Sequence, residues 1–294
     1  MLDVVIFSKD RACQLDLLLR SIKHHLADWR ACRIQILYTF SARRFDRGYG
    51  AAIAAHPEFS WVCELDERER FRELVLGLIG GIDRITFLVD DDVLKEPISL
   101  QDPVFQRFHA DDSIMCVSLR LDPEIDHSYT LDRAIAVPRF DTGTVWNWTQ
   151  ADGEWGYPMS LDGHVFRTRE LVPLLERLQF ETPSTLEAGL SAHPLPQPRA
   201  ICFPRAKLVN LPFNRVQQTL PNAHMGIDEE CLNREFLGGR RLSLSMVEGL
   251  RNRAPHHADI PLIWDDETTG PERRQTRSNG AGSREKGLPI SRRP

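Results

Sequence analysis

The sequence has no CxxC pair and no close grouping of cysteine with histidine; Cys13, Cys32, Cys63, Cys116, Cys202 and Cys231 are scattered along it. That excludes a zinc knuckle or a thiol redox motif and fits free thiols in a reducing compartment. No stretch approaches the roughly 18 apolar residues of a membrane span. The opening "MLDVVIFSKD" has too short an apolar run, interrupted by Asp3, to serve as a signal peptide. A cytoplasmic location is therefore expected. A large excess of one charge is also missing: the net charge of −5 gives no reason to expect nucleic-acid binding over the whole surface. The balance is uneven, since residues 271–294 carry seven Lys/Arg against two Asp/Glu and leave the acidic excess to the rest. No internal repeat is present.

What remains is 294 residues with 41% hydrophobic content, enough for one large α/β domain or two smaller ones. "DVVIFSKDR" reads as a buried strand, and "ACQLDLLLRSIKHHL" repeats Leu15, Leu18, Leu19, Ile22 and Leu26 at helical spacing. "CRIQILYTFS" is a second strand, "GYGAAIAAHP" a short helix closed at His56-Pro57, and "FSWVCEL" a third strand. "ERERFRELVLGLIGGI" predicts a helix ended by Gly80-Gly81. A fourth strand follows, "RITFLV", apolar throughout as strands covered on both faces are. This alternation predicts an α/β fold with a mainly parallel sheet flanked by helices. Beyond residue 100 the pattern loosens. "SIMCVSLRL" reads as a strand, "RTRELVPLLERL" and "IDEECLNREFLGG" as helices, and "AHPLPQPRAICFPRAKLVNLP" as a proline-punctuated surface wrap. From about Asp265 the apolar pattern stops, so a disordered basic tail is expected over 265–294.

In such sheets ligands bind beyond the carboxyl ends of the strands. The first strand ends in Ser8-Lys9-Asp10-Arg11, the second in "YTFS", and the fourth in Asp90-Asp91-Asp92. Adjacent like charges at the mouth of a buried strand are costly, so either the triplet is a solvated turn or something positive sits there. In an extended segment Asp90 and Asp92 point to one side and Asp91 to the other. Two oxygen donors would then converge on one spot, a seat for Mg²⁺ or Mn²⁺.

"SKDRACQLDLLLRSI", the strand–helix alternation and "FLVDDDV" together resemble the GT-A fold glycosyltransferases, in particular the family 2-like group. "YPMSLDGHVFRTREL" and "PSTLEAGL" sit where that group has its acceptor-side segment and acidic base. The resemblance covers about residues 3–260. It implies a single catalytic domain over 1–264, with a nucleotide-binding half (1–95) and an acceptor-side half (96–264). The implied reaction moves a sugar from a nucleotide-sugar donor to the hydroxyl of a glycan, lipid-linked or small-molecule acceptor, with inversion. It would need Mn²⁺ or Mg²⁺, held by Asp90 and Asp92, with His257 as a further ligand. Donor contacts would come from Ser8, Lys9, Asp10, Arg11, Asp90 and Asp91. Glu187 is the first candidate for the general base and Asp162 the second.

Two departures from the group's pattern stand out. Glu187 is followed by Ala188 where an acidic pair is common, and the second strand ends "YTFS" rather than in acidic residues. They keep open a degenerate domain that binds a glycan or partner without turnover. A DxD phosphatase would place its motif on the first strand, and a sugar nucleotidyltransferase needs glycines that "FSKDRACQ" lacks. Asp10 could instead cap the helix after it. Trp146, Trp148, Trp155 and Tyr157 could line an acceptor site or form a satellite core, and Asn210, Asn214 and Arg215 could line the site or lie in turns.

Overall fold

A computed structural model describes residues 1–65, 70–215 and 224–265. The chain runs β1 (Leu2–Lys9), α1 (Ala12–His25), β2 (Arg33–Thr39), α2 (Arg43–Ala55), β3 (Ser60–Cys63), α3 (Phe71–Leu78), β4 (Arg84–Val89) and β5 (Asp92–Leu94). It continues with α4 (Pro103–Ala110), β6 (Ile114–Ser118), β7 (His127–Ser128), β8 (Arg133–Ala134), β9 (Val145–Asn147), β10 (His164–Arg167), α5 (Thr168–Leu175) and α6 (Pro183–Ala192). The last elements are β11 (Arg199–Cys202), β12 (Leu208–Asn210), α7 (Glu229–Leu237), β13 (Arg241–Leu242) and β14 (Trp264–Asp265).

Eight strands form one mixed, mainly parallel sheet in the order β3-β2-β1-β4-β10-β6-β11-β9. The strands from β3 to β4 in that order are parallel, β10 runs against both β4 and β6, and β9 runs against β11. The α/β architecture expected from the alternation is the one observed. Apolar side chains alternate along β1: Val4 and Ile6 enter the core shared with α1 and α2, while Val5 and Phe7 enter the core shared with α3 and α5. Both faces of the sheet are therefore covered, which is why its strands read as continuous apolar runs. Among the described residues, no helix is long and apolar enough to cross a membrane.

Three elements differ from the sequence reading. The helix expected at "GYGAAIAAHP" starts earlier, at Arg43, because Phe45 joins Tyr49 and Ala52 on its buried face. The segment expected to wrap the surface instead supplies β11, placed between β6 and β9, and β12, paired antiparallel with β5. Its prolines Pro198 and Pro204 fall outside the paired residues, so they remove no ladder hydrogen bond. Trp146 and Trp155 are fully buried and meet edge to face, so they belong to the core. Nearly all of the expected basic tail lies outside the described residues.

The carboxyl ends of β1, β2 and β4 open on the same edge of the sheet. The β5–β12 ribbon begins directly from the turn after β4 and stands beside that edge.

Candidate active site

At the end of β1, Ser8 Oγ and Tyr49 OH share a hydrogen bond of 2.7 Å. Tyr49 OH also accepts from the Arg11 backbone N–H at 3.3 Å. Asp10 adopts φ 59°, a left-handed conformation that Asp tolerates better than most residues. Its carboxylate accepts from Ser41 N–H at 2.7 Å and ties the β1 loop to the β2 loop. Asp10 therefore does not cap α1; Arg11 stands at the cap position and makes no side-chain cap.

Arg11 is the positive group at the acidic triplet. Its Nη1 lies 3.0 Å from Asp90 Oδ1 and 3.0 Å from Asp91 Oδ2. Its other edge is held by Asn214, with Nε donating to Oδ1 at 2.7 Å and Nη2 to the backbone carbonyl. Burial alone would lower the Arg11 pKa, but Asp91 and Asp90 outweigh it and hold the guanidinium charged. Asp90 Oδ2 accepts from Lys9 N–H at 3.0 Å. Burial pushes the Asp90 carboxyl up to about 6, against the pull of Arg11.

The alternation expected for the triplet does not hold, because Asp90 and Asp91 form a turn rather than extended strand. The convergent pair is Asp90 and Asp91, not Asp90 and Asp92. Asp92 is fully buried; its Oδ2 accepts from Val89 N–H (3.0 Å) and its Oδ1 from Asn210 Nδ2 (3.2 Å). Burial, reinforced by the Asp162 charge, raises its pKa well above the usual carboxylate range. Asn210 Nδ2 also donates to Asp91 Oδ1 at 2.9 Å.

A cleft of about 580 Å³ opens over this edge, lined by Ser8, Lys9, Arg11, Thr39, Glu64 and Asp90 among others. Ser8, Lys9, Arg11 and Asp90 of the expected donor set thus come together. Asp10 is turned to the β2 loop instead, and Asp91 faces Arg11 and Asn210. A larger hollow, about 740 Å³, lies at the start of β4 beside Asp83 and Arg84. That is the end of the sheet where α/β folds do not bind their ligands.

A second cavity, of about 350 Å³, holds both base candidates: Asp162 and Glu187 line it with Arg120, Glu154, Tyr157 and His256. Of the four aromatics weighed for an acceptor site, Tyr157 alone lines this cavity. Trp148 is held away from it, its Nε1 donating to Gln197 O at 2.7 Å. Arg120 is buried and spans two carboxylates, with Nη1 at 2.7 Å from Asp162 Oδ2 and Nη2 at 2.7 Å from Glu154 Oε2. Burial would lower its pKa, but Glu154 and Asp162 outweigh that. Burial raises the Asp162 carboxyl against the pull of Arg120. Glu187 accepts only a long 3.4 Å contact from Leu161 N–H among the described residues. Burial first, and the Asp162 charge second, push its carboxyl up to about 7. The chain brings Asp162 here through Gly163, whose φ of 72° turns it into β10.

The imidazole facing these carboxylates belongs to His256, not to His257. His256 stacks on Tyr129 with ring centroids 5.0 Å apart, and its Nε2 lies 3.8 Å from Asp162 Oδ2. Its Nδ1 is buried with no hydrogen-bond partner among the described residues. Burial, then Arg120, lower its pKa to about 4, so the ring is neutral near pH 7. His257 is fixed through its backbone N–H, which donates to Asn210 O at 2.9 Å. Burial lowers its pKa, and the charges acting on its ring are those of Asp259 and Lys95 rather than the triplet. Asn210 and Asn214 read more readily as turn or surface residues in the sequence, and Tyr49, Arg120 and Glu154 carry no motif. Only the fold brings them to the site.

A divalent ion is implied by the resemblance, and the donor set fits one at a single place. Asp90 Oδ1 and Asp91 Oδ2 converge on the point that Arg11 Nη1 occupies, and hard cations take such carboxylate oxygens. Among the described residues, no three His, Cys, Asp or Glu side chains are gathered closely enough to hold a metal unaided. Mg²⁺ and its relatives do not need three, since waters and phosphate oxygens complete the shell.

No family model matches the chain. A bifunctional glycosyltransferase of Dictyostelium discoideum is 22% identical over 190 residues, covering 57% of this chain and 24% of that protein. The chain thus spans about a quarter of the length of this curated relative. Similar solved structures are a mannosyltransferase from Pyrobaculum calidifontis in complex with GDP-Man and Mn²⁺ (TM-score 0.41, 14% identity, 73% of this chain, 58% of that one) and TarS of S. aureus (TM-score 0.42, 12% identity, 70% and 36%). A third is the galactosyltransferase LgtC in complex with donor and acceptor sugar analogues (TM-score 0.35, 14% identity, 81% and 95%). Two of these three are glycosyltransferases by their descriptions, as is the curated relative, the class the sequence resembles.

Proposed function

We propose that this chain is a glycosyltransferase that moves a sugar from a nucleotide-sugar to an acceptor hydroxyl, with inversion. The observation that carries the reading is a pair of cavities at the same edge of the sheet, one at the carboxyl ends of β1 and β4 and the other where the chain enters the antiparallel β10. One presents Lys9 and Arg11 beside an aspartate pair, suited to a diphosphate. The other presents a carboxylate with a pKa of about 7, suited to taking a proton from an alcohol.

In this reading the 580 Å³ cleft takes the donor, with Lys9 and Arg11 turned to its phosphates and Ser8 to its nucleoside side. The 350 Å³ cavity takes the acceptor. The acceptor oxygen attacks the anomeric carbon as the bond from that carbon to the diphosphate oxygen breaks. Glu187 accepts the hydroxyl proton. Asp162 is the weaker candidate because Arg120 already occupies it, and Arg120 in turn keeps Glu187 from facing Asp162 and Glu154 uncompensated. Asp90 and Asp91 would hold a divalent ion, whose chemistry is to neutralise the charge on the departing diphosphate. Residues 1–264 would form the catalytic domain.

Thermal melting with a panel of nucleoside diphosphates, each with Mn²⁺, with Mg²⁺ and with chelator, tests the donor half. A ligand specific to the folded state adds about 2.7 kcal/mol at a hundredfold excess over its dissociation constant. One nucleotide should raise the melting temperature and the others should not. A flat response to every nucleotide sinks the proposal.

A further inference from the structure

The seat at Asp90 and Asp91 is already filled by a cation that belongs to the chain. Arg11 Nη1 is 3.0 Å from an oxygen of each aspartate, and its side chain is only 10% exposed. The guanidinium is held on both edges. Asn214 clamps the opposite edge through its side-chain oxygen and its backbone carbonyl, and Asn214 is itself buried. Beside this clamp the Asn214 side-chain Nδ2 is buried with no hydrogen-bond partner among the described residues. It is a buried donor without an acceptor among the described residues, beside the Arg11 guanidinium that itself lines the cleft. A phosphate oxygen in the cleft is an acceptor of the kind the guanidinium can use.

We infer that Arg11 is the placeholder cation of this seat in the free protein, and that a divalent ion enters only together with a nucleoside diphosphate. The diphosphate end of this inference rests on the glycosyltransferase reading. The charge count forces the order. A dication added beside Arg11 would leave three positive charges against the two carboxylates in a buried place, and like charges there are strongly disfavoured. A diphosphate supplies the missing negative charge and gives the planar guanidinium a new bidentate partner, so Arg11 can leave the aspartates without being left unpaired. Arg11 thus passes from the aspartates to the phosphates as the ion takes its place.

The test is Mn²⁺ binding to the nucleotide-free protein, read from the loss of the free-ion electron paramagnetic resonance signal. Wild type should bind Mn²⁺ weakly without nucleotide. Arg11→Met should bind it at least about tenfold more tightly, since the two freed carboxylates are then uncompensated. Arg11→Lys, which keeps a cation at the seat, should resemble wild type. Should Arg11→Met fold poorly, Asn214→Ala loosens the clamp from the other side and should also raise Mn²⁺ affinity. Equal Mn²⁺ binding by wild type and every variant that folds overturns the placeholder role. If Arg11→Met gains Mn²⁺ but no nucleoside diphosphate binds the wild type under any condition, the glycosyltransferase reading and the coupled entry fall while the placeholder role stands. If GDP and UDP bind yet leave wild-type Mn²⁺ affinity unchanged beyond their own chelation, the coupled entry alone is wrong.

Discussion

A carboxylate can take a proton from an alcohol only while it is ionised, so in the proposed reaction the environment of Glu187 would set the pH range. Its folded pKa of about 7 puts the inactive, protonated form just below neutrality. We expect kcat/KM to rise about tenfold per pH unit below 7 and to level off above it. Glu187→Gln should lower kcat by about 10²–10⁴-fold with donor affinity unchanged, measured by nucleotide release and by nucleotide titration. Asp162→Asn should have a different signature. It removes the second cause of the raised Glu187 pKa, so the rising limb of the pH profile should move to lower pH. The same group has a stability signature. Because its folded pKa is raised from 4.5 to about 7, its favourable contribution is present below 4.5 and lost as pH rises through 7. Glu187→Gln should therefore melt above wild type at pH 8 by more than it does at pH 5. A pH-independent difference in melting would place Glu187 in solvent, and near-normal turnover of the variant would move the base elsewhere.

The turn from Asp162 into β10 is where element geometry decides the site. Gly163 has φ 72°, its N–H donates to Phe87 O on β4 (3.0 Å), and its carbonyl accepts from Leu119 N–H (2.9 Å). A Cβ there would stand 3.2 Å from Leu208 on β12. Gly81 has nearly the same φ, 71°, but open space around it, which makes it the control. Both alanine variants carry the left-handed backbone cost of about 1–2 kcal/mol, measurable as a shift in the denaturation midpoint. Only Gly163→Ala should also reduce turnover, because it moves Asp162 against Arg120; equal turnover in the two variants would disconnect this turn from the site. The same elements show what sequence can and cannot tell. β1, β4 and their helices are legible because each is a local pattern of apolar residues. β11 is not, since prolines on either side of four strand residues look like a surface wrap until the sheet claims them. The position of Arg11 after β1 makes it a candidate to reach phosphates, but its bond to Asp90 spans 79 residues, and that from Asn210 to Asp91 spans 119. Pairings of that length are set by strand order, and no spacing rule reveals them. The expectation that Asp92 faces the same spot as Asp90 fails for a local reason: the alternation rule holds for a strand, and Asp90-Asp91 is a turn.

At the scale of the whole molecule, the chain returns to the site after α7. Lys95 Nζ donates to Leu250 O (2.9 Å) and to Asn252 Oδ1 (2.7 Å), and Lys95 is buried. Asn210 N–H donates to Pro255 O, and the backbones of Asp126 and His127 both donate to Arg253 O. Residues 250–257 thus tie together Lys95 (just after β5), β7 and β12 and bring His256 to the 350 Å³ cavity. Beyond them, β14 pairs with β13, and Arg240 lies over the Trp264 ring. A chain ended after residue 265 keeps every one of these contacts. It should melt as the full chain does and respond to the same nucleotide, which is the test of the proposed domain limit. A chain ended after residue 249 strands a buried lysine and several backbone donors, each worth about 1–3 kcal/mol when left without a partner. Since whole domains are stable by only about 5–15 kcal/mol, the shorter chain should fail to give a cooperative melt. Cooperative unfolding and nucleotide response in the shorter chain would show that the return segment only covers a site already complete without it.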